Sequence, residues 1–287
     1  MLDMTSQNPS SPAMAEPLDD SEEDVSLPKN HEAYFVPGLQ RGLMVMETIA
    51  AERRPLTVTE IAKRLSLTRS SVFRLIYTLR HMNFLEQAAD KKQFTLGPRV
   101  LNIGFAYLAS KDIIELSRPD LERLRDETNV STHLAIRDDL DVLYLSCAQT
   151  RSGFLSNMNV GARLPAHVTP LGWLLLSDLP PREVSRLYHG RELVRMSPHT
   201  PTELGQLMMR VAEAAAHGHV VSRGLVELGG SSVSAPIFDR TGKVVAAIDV
   251  SGPDSAFDLD ALDTRYVDAV VTTAHQISRR LGYQRQV

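Results

Sequence analysis

The segment from residue 56 to residue 85, which reads LTVTEIAKRLSLTRSSVFRLIYTLRHMNFL, constrains the fold more than any other part of the chain. Its apolar residues recur at helical spacing in two short stretches that are joined by the link SL. Thr57 or Thr59 is expected to cap the first helix and Thr68 the second, because a threonine side chain can accept a hydrogen bond from the first helical turn. Two short helices with so brief a link predict a helix-turn-helix. The side chains expected to face the core are Ile61, Ala62, Leu65, Val72, Leu75, Ile76 and Leu79.

The flanking segments complete a winged helix-turn-helix over residues 36–98. Before it, GLQRGLMVMETIAAE predicts a helix that ends ahead of Pro55. After it, FLEQ and QFTL predict two short strands around AADKK, and a hairpin that follows a helix-turn-helix is a wing. The apolar face of the opening helix is expected to comprise Leu39, Leu43, Met46 and Ile49.

Charge is distributed unevenly along the chain, whose net charge is −4. Residues 1–37 contain eight acidic residues and one lysine, whereas residues 38–99 contain eleven basic and five acidic residues. A basic segment in an acidic protein is typical of a nucleic-acid-binding module, and a merely solvated surface is the alternative. Arginine can fork onto guanine, and serine or threonine can reach base edges and phosphates. The residues expected to contact DNA are Arg41, Thr68, Arg69, Ser70, Ser71 and Arg74, with Lys91 and Lys92 at the wing tip.

The remaining sequence predicts a tail, a linker and a second domain. Residues 1–35 are rich in Ser, Pro, Asp and Glu and are expected to form a disordered acidic tail. Residues 99–118 predict a linker helix that is broken before Pro119, and residues 119–284 alternate strand and helix patterns, so the predicted fold class is α+β. The last of these patterns predicts an amphipathic helix over residues 259–282. No apolar run approaches the ~18 residues of a membrane span, and Cys147 is the only cysteine. We therefore expect a cytoplasmic protein with no membrane partner.

Several motifs together resemble the IclR family of bacterial transcription regulators. LQRGLMVMETIA, the helix-turn-helix and QFTLGPRVLNIG resemble that family's DNA-binding domain and the entry to its linker. The resemblance continues through GARLPAHVTPLG, SAPIFDRTGKVVAAIDVSGP and the final ISRRLG, and it covers about residues 36–282. It implies a GAF-like effector-binding domain, dimerisation through the linker helix, and assembly as a homodimer or as a homotetramer built from two dimers.

The resemblance also implies a small-molecule site in the second domain. The residues that it points to are His133, His167, Trp173, Ser222, Ser232, Asp249 and Ser251. Ser232 stands where the family often has cysteine, and Trp173 stands where it often has lysine. Pro170 offers no N–H in a segment whose amides can hold small organic acids in this family.

Asp249 is the departure with the largest consequence for the ligand. It stands where a serine is common, and its negative charge would disfavour a carboxylate ligand unless His133, His167 or Arg223 compensates for it. A larger ligand with hydroxyl groups, for which an aromatic compound is the candidate, is expected to fit better than a glyoxylate-like acid. A structural role is the alternative for both histidines and for Trp173.

Motifs that would indicate an enzyme are missing from the sequence. It contains no phosphate-binding loop, no dinucleotide fingerprint and no Gly-x-Ser-x-Gly elbow, so we predict no catalytic residue, no metal site and no cofactor. The predicted function is a ligand-responsive regulator that binds a pseudo-palindromic operator in double-stranded DNA. One alternative is a DNA-binding protein whose C-terminal domain only mediates oligomerisation. The other is an enzyme that uses the C-terminal pocket.

Overall fold

The computed structural model describes residues 35–89, 92–109, 112–150 and 158–284, and the chain divides after Val100 into two compact units. Apart from Phe35, the predicted acidic tail lies outside the described residues. Within those residues, no helix has both the length and the apolar character needed to cross a lipid bilayer.

The N-terminal unit is a winged helix-turn-helix, as the sequence predicted. Its three strands form an antiparallel sheet in the order β1-β3-β2. In chain order the elements are α1 (Pro37–Glu52), β1 (Leu56–Thr57), α2 (Val58–Arg64), α3 (Arg69–His81), β2 (Leu85–Gln87) and β3 (Gln93–Leu96).

Side-chain caps fix where the two helices of the helix-turn-helix begin. The Thr57 hydroxyl accepts a hydrogen bond from the Glu60 backbone N–H at 3.2 Å, and the Glu60 carboxylate accepts one from the Thr57 backbone N–H at 2.9 Å. This reciprocal capping box starts α2, so Thr57 rather than Thr59 is the cap. Thr68 caps α3 by accepting a hydrogen bond from the Ser71 N–H at 3.2 Å. After α3, Asn83 turns the chain toward β2 with a φ of 59°, a left-handed conformation that asparagine tolerates.

The core of this unit contains the predicted inward-facing residues of α2 and α3. Ile61, Ala62, Val72 and Ile76 are buried, and Leu65, Leu75 and Leu79 are partly buried against them. The prediction for α1 was wrong at two positions, because Leu39 and Leu43 are 65% and 46% exposed. The helix is rotated so that Gly42, Val45 and Ile49 face the core. Periodicity alone does not distinguish this stripe from the neighbouring one.

The C-terminal unit is built on one six-stranded antiparallel sheet with the strand order β6-β5-β4-β9-β8-β7. A helix, α4 (Arg99–Ala109), precedes it at the division between the units. The remaining elements are α5 (Asp112–Thr128), β4 (Thr132–Asp138), β5 (Asp141–Ala148), β6 (Arg163–Pro165), α6 (Pro170–Leu176), α7 (Pro181–Tyr188), α8 (Leu204–His217), β7 (Val220–Arg223), β8 (Gly230–Phe238), β9 (Val244–Pro253) and α9 (Val267–Arg280).

Helices cover both faces of this sheet. On one face, Leu134, Ile248 and Val250 pack in a cluster with apolar residues of α5 and α9. On the other face, Ala135 and Ala247 belong to a cluster with α6, α7 and α8. Because both faces are covered, β4, β8 and β9 are each buried over at least four consecutive residues. The predicted α+β class is confirmed.

Two predicted helix boundaries were wrong. The helix that was expected to end before Pro119 runs through it from Asp112 to Thr128, although proline removes one backbone hydrogen bond. Buried Leu121 and Leu124 hold the following turns against the sheet, and buried Asp120 forms an ion pair with Arg280 of α9 at 2.6 Å. The final helix was expected from residue 259, but short 3-10 and π turns occupy 259–266 before α9 begins.

Candidate functional site

The exposed face of α3 is the candidate surface for DNA. Val72 and Ile76 are buried on the opposite face of this helix. Ser70, Arg74 and His81 follow one another at intervals of four and seven residues, which places them on a single outward stripe, and all three are exposed. The outward stripe therefore combines a short hydroxyl side chain, a guanidinium group and an imidazole.

The structure separates the predicted DNA contacts into different roles. Thr68 uses its hydroxyl to cap α3, and Ser71 supplies the N–H to that cap and is only partly exposed. Arg69 is exposed in the first turn, and Ser70 Oγ lies 3.2 Å from Thr68 Oγ1. Among the remaining predicted contacts, Arg41 on α1 and Lys92 before β3 are exposed, whereas Lys91 lies outside the described residues.

Ion pairs reduce the number of cations that this unit offers to DNA. Arg54 contacts Glu60 at 2.9 Å, and Arg64 contacts Glu52 at 2.7 Å. Within the described part of the chain, Arg69 and Arg74 have no ion-pair partner. Arg69 and Arg74 therefore supply positive charge to the N-terminal half of α3, where backbone N–H groups also favour phosphate, and Arg80 is exposed in its last turn.

Sequence reasoning missed two aromatic residues on the same helix. Phe73 is 58% exposed and Tyr77 is 66% exposed, and they are one helical turn apart beside Arg74. The available signal was their four-residue spacing outside the apolar stripe. It was missed because only polar and cationic residues were considered as contacts to DNA.

The C-terminal unit contains a cavity of about 190 Å³ on the sheet face that carries α6. Polar side chains from the sheet form one wall, and apolar side chains from α6 and from the loop between β7 and β8 form the other. Gly224 and Gly229 turn that loop with φ values of 65° and 78°, and the Gly224 N–H donates to the Gly230 carbonyl at 2.7 Å. The lining includes Tyr144, Leu164, Pro170, Leu171, Ser222, Leu225, Glu227, Ser232, Asp249 and Ser251.

A buried ion pair stands at the polar wall of the cavity. His133 Nδ1 of β4 lies 2.8 Å from Asp249 Oδ1 of β9 and 3.2 Å from Ser251 Oγ. Pairing of β4 with β9 places His133 directly opposite Asp249. Burial by itself would lower the pKa of His133, but the charge of Asp249 and the hydrogen bond to it raise that pKa to about 10. His133 therefore compensates for the charge of Asp249.

The other polar residues of this wall are also hydrogen-bonded. Ser222 Oγ and Ser232 Oγ are 3.0 Å apart across β7 and β8. Tyr144 meets the His133 ring edge-on at a centroid distance of 5.7 Å, and burial followed by the charge of Asp249 raises the pKa of its hydroxyl. The cavity thus presents hydroxyl groups and the carboxylates of Asp249 and Glu227 to a ligand.

Of the seven predicted ligand residues, the structure brings four to the cavity wall: Ser222, Ser232, Asp249 and Ser251. His133 lies behind that wall with no exposed surface. His167 and Trp173 do not line the cavity. His167 Nε2 donates to the Val194 carbonyl at 3.0 Å, and Trp173 Nε1 donates to the His167 carbonyl at 2.9 Å, so both residues support the segment before α6.

Tight backbone packing fixes the start of α6 beside the cavity. Thr169 Oγ1 accepts a hydrogen bond from the Gly172 N–H at 2.9 Å, and Pro170 follows as the first helical residue. A Cβ on Gly172 would lie 2.0 Å from the Ala166 carbonyl oxygen, so no other residue fits there without moving the backbone. Pro170 and Leu171 are thereby held as part of the cavity lining.

A winged helix-turn-helix with a cationic outward helix, joined to a unit that encloses a small-molecule-sized cavity, defines the class of transcription regulators that bind DNA. The chain belongs to the IclR family within this class. The family's helix-turn-helix domain matches residues 38–89, and the C-terminal domain of bacterial IclR transcriptional regulators matches residues 105–279.

Individual relatives agree with this membership. The chain is 28% identical to the Pca regulon regulatory protein of Pseudomonas putida, over 95% of this chain and 94% of that one. It is similar to the crystal structure of a transcriptional regulator from Rhodococcus sp. RHA1, with a TM-score of 0.75 and 30% identity over 86% and 98% of the two chains. An IclR homologue from Microbacterium hydrocarbonoxydans complexed with 4-hydroxybenzoate shares the fold, with a TM-score of 0.72 and 24% identity over 85% and 98%.

Proposed function

We propose that this protein is a cytoplasmic regulator of a catabolic pathway whose DNA binding responds to a hydroxylated aromatic compound in the C-terminal cavity. The observation that carries the proposal is the His133–Asp249 pair at the wall of a cavity of about 190 Å³. An apolar protein cavity of about 150 Å³ accommodates benzene, so this volume suits one substituted ring.

The ion pair supports a ligand that donates a hydrogen bond to Asp249. The positive charge of His133 balances the negative charge of Asp249, so the pair as a whole is neutral. A ligand hydroxyl can therefore donate a hydrogen bond to the Asp249 carboxylate, and the pair adds no net negative charge to the cavity wall. Ser222, Ser232 and Ser251 can bond a second polar substituent, while Leu171 and Leu225 contact the ring. The homologue complexed with 4-hydroxybenzoate supports this class of ligand.

Operator binding is proposed to need two copies of the chain. One recognition helix reads few base pairs, so two helices are expected to occupy the halves of a pseudo-palindrome. Large apolar residues on α4 support dimerisation through that helix, since Leu101 and Ile103 are 57% and 61% exposed. We propose that the effector changes the spacing of the paired wings through α4, in a homodimer or a dimer of dimers.

The effector proposal is tested with full-length protein and a panel containing 4-hydroxybenzoate, 3,4-dihydroxybenzoate, glyoxylate and pyruvate. An aromatic hydroxy acid should raise the melting temperature and change the affinity for operator DNA.

A variant of the cavity wall provides a second test. Ser222→Ala should lower the affinity for that ligand by about five-fold, the cost of about one hydrogen bond. Ser255→Ala, at an exposed serine outside the lining, should leave the affinity unchanged. Stabilisation by the short keto acids alone would refute the proposal. No effect of any compound on operator affinity would favour a domain that serves only assembly.

Recognition of DNA by α3 is tested with Arg74→Ala. Loss of a bidentate contact to guanine should weaken specific binding by about ten-fold or more, because such a contact is worth about 1–3 kcal/mol. Arg186→Ala is the matched control, since it removes the same charge from an exposed position on α7. An unchanged footprint for Arg74→Ala would contradict the assigned role.

A further inference from the structure

The outward face of α3 exposes two large aromatic side chains, Phe73 and Tyr77. Neither belongs to the apolar core of the N-terminal unit, which α3 enters through Val72 and Ile76. Within the described residues, the Tyr77 hydroxyl has no hydrogen-bond partner. Aromatic side chains contribute strongly to the energy of binding interfaces. The exposure of Phe73 and Tyr77 beside Arg74 therefore indicates a surface that a binding partner buries.

The neighbours of these aromatics indicate what covers them. Ser70 and Arg74 occupy the same outward face, and Arg69 is exposed in its first turn. The positive charge and the free N–H groups of the helix N-terminus complement DNA phosphates, and the second helix of a helix-turn-helix enters the major groove. The methyl group of thymine is the apolar group that base pairs present in that groove.

We propose that Phe73 and Tyr77 contact thymine methyl groups in each operator half-site. The inference rests on the proposed DNA-reading face and adds a sequence preference to it. Four residues advance about 6 Å along a helix, which corresponds to about two base-pair steps of 3.4 Å. The two thymines therefore lie within about two base pairs of each other, next to the base pair read by Arg74.

Replacement of thymine by deoxyuridine tests the inference, because it removes the methyl group and keeps the base pairing. Full-length protein first selects duplexes from a randomised pool, and each thymine of the selected half-site is then replaced singly. At one or two positions wild-type affinity should fall about four-fold, the effect of removing one buried methyl group. The variants Phe73→Ala and Tyr77→Ala should each lose this discrimination at one position. At the position that the replaced side chain contacts, the variant should bind the thymine duplex and the deoxyuridine duplex with equal affinity.

Two variants serve as controls. Tyr77→Phe retains the ring and should keep the discrimination between thymine and deoxyuridine. Leu39→Ala truncates an exposed leucine on α1 and should leave the ratio of affinities unchanged. Both alanine variants of α3 alter exposed side chains, and their melting temperatures show whether they are folded.

Each outcome of this experiment bears on the inference. Equal wild-type affinity for all thymine and deoxyuridine duplexes overturns it and leaves operator recognition intact. Alanine variants that change the oligomeric state but not the affinity ratio also overturn it, because the aromatics then form a protein interface. If the protein selects no sequence from the pool, both the proposed operator binding and the inference are refuted.

Discussion

Raising the pH from 7 to 9 is expected to destabilise the C-terminal unit through the buried pair of His133 and Asp249. Histidine has an ordinary pKa of 6.5, and in the folded protein the pKa of His133 is about 10. Because the folded pKa is the higher one, the stabilisation is fully present below pH 6.5 and is lost as the pH rises toward 10.

The magnitude follows from these two pKa values. Each pH unit within that window removes up to about 1.4 kcal/mol from the free energy of unfolding. At pH 7 the shift contributes about 4 kcal/mol, and at pH 9 about 1 kcal/mol, so the difference is about 2–3 kcal/mol. Asp249→Asn keeps the shape of the side chain and lets a neutral imidazole donate to the amide oxygen. This variant should therefore be less stable at pH 7 and should lack this part of the pH dependence.

Fluorescence of Trp173 provides the assay. It is the only tryptophan of the chain and is buried in the C-terminal unit, so urea unfolding followed by its emission reports that unit. Unfolding free energies are measured at pH 7, 8 and 9 and at one protein concentration, because assembly also contributes to stability.

One neighbouring group needs its own control. Cys147 faces His133 across β4 and β5 and also contributes to the raised pKa of the imidazole. The protein with Asp249 and the Asp249→Asn variant are therefore compared on a Cys147→Ala background, in which no thiol lies beside the imidazole. Parallel pH profiles of the two proteins on that background would falsify the assignment of a charged, paired His133.

Three further predictions concern local structure. Gly172→Ala should lower the free energy of unfolding reported by Trp173 by about 1–3 kcal/mol, because the new Cβ meets backbone atoms that cannot rotate away; an unchanged value would show that the segment before α6 adjusts easily. Hydrogen bonds from Thr57, followed by that from Arg54, lower the pKa of Glu60 to about 2, so Thr57→Val should raise it in an NMR titration, and no change would contradict the capping box. Asn83→Ala should cost about 1–2 kcal/mol, seen as faster hydrogen exchange in the wing, whereas Asn83→Gly should not.

Local signals explain why the N-terminal unit could be predicted from the sequence. The caps at Thr57 and Thr68 and the apolar stripe of α3 act within a few residues of one another, and they define the helices without knowledge of the rest of the fold. The same reasoning was wrong where packing decides the outcome. Leu39 has the spacing of a core residue but is exposed, because α1 turns a different stripe toward the core.

The cavity depended on contacts that periodicity does not specify. His133 and Asp249 lie 116 positions apart and meet because β4 pairs with β9. The resemblance to the family directed attention to both residues, but only the geometry shows that they neutralise each other. The role of Trp173 also required the structure, because its indole bonds a carbonyl rather than facing the cavity.

The pairing of β4 with β9 also has a consequence for the order in which the protein is made. The centre of the sheet joins an early strand of the C-terminal unit to its last strand, so this sheet cannot close until nearly the whole chain has left the ribosome. The winged unit closes its sheet between residues 56 and 96 and is complete much earlier. During every round of synthesis, α3 is expected to be folded before the unit that is proposed to control its binding to DNA has been made.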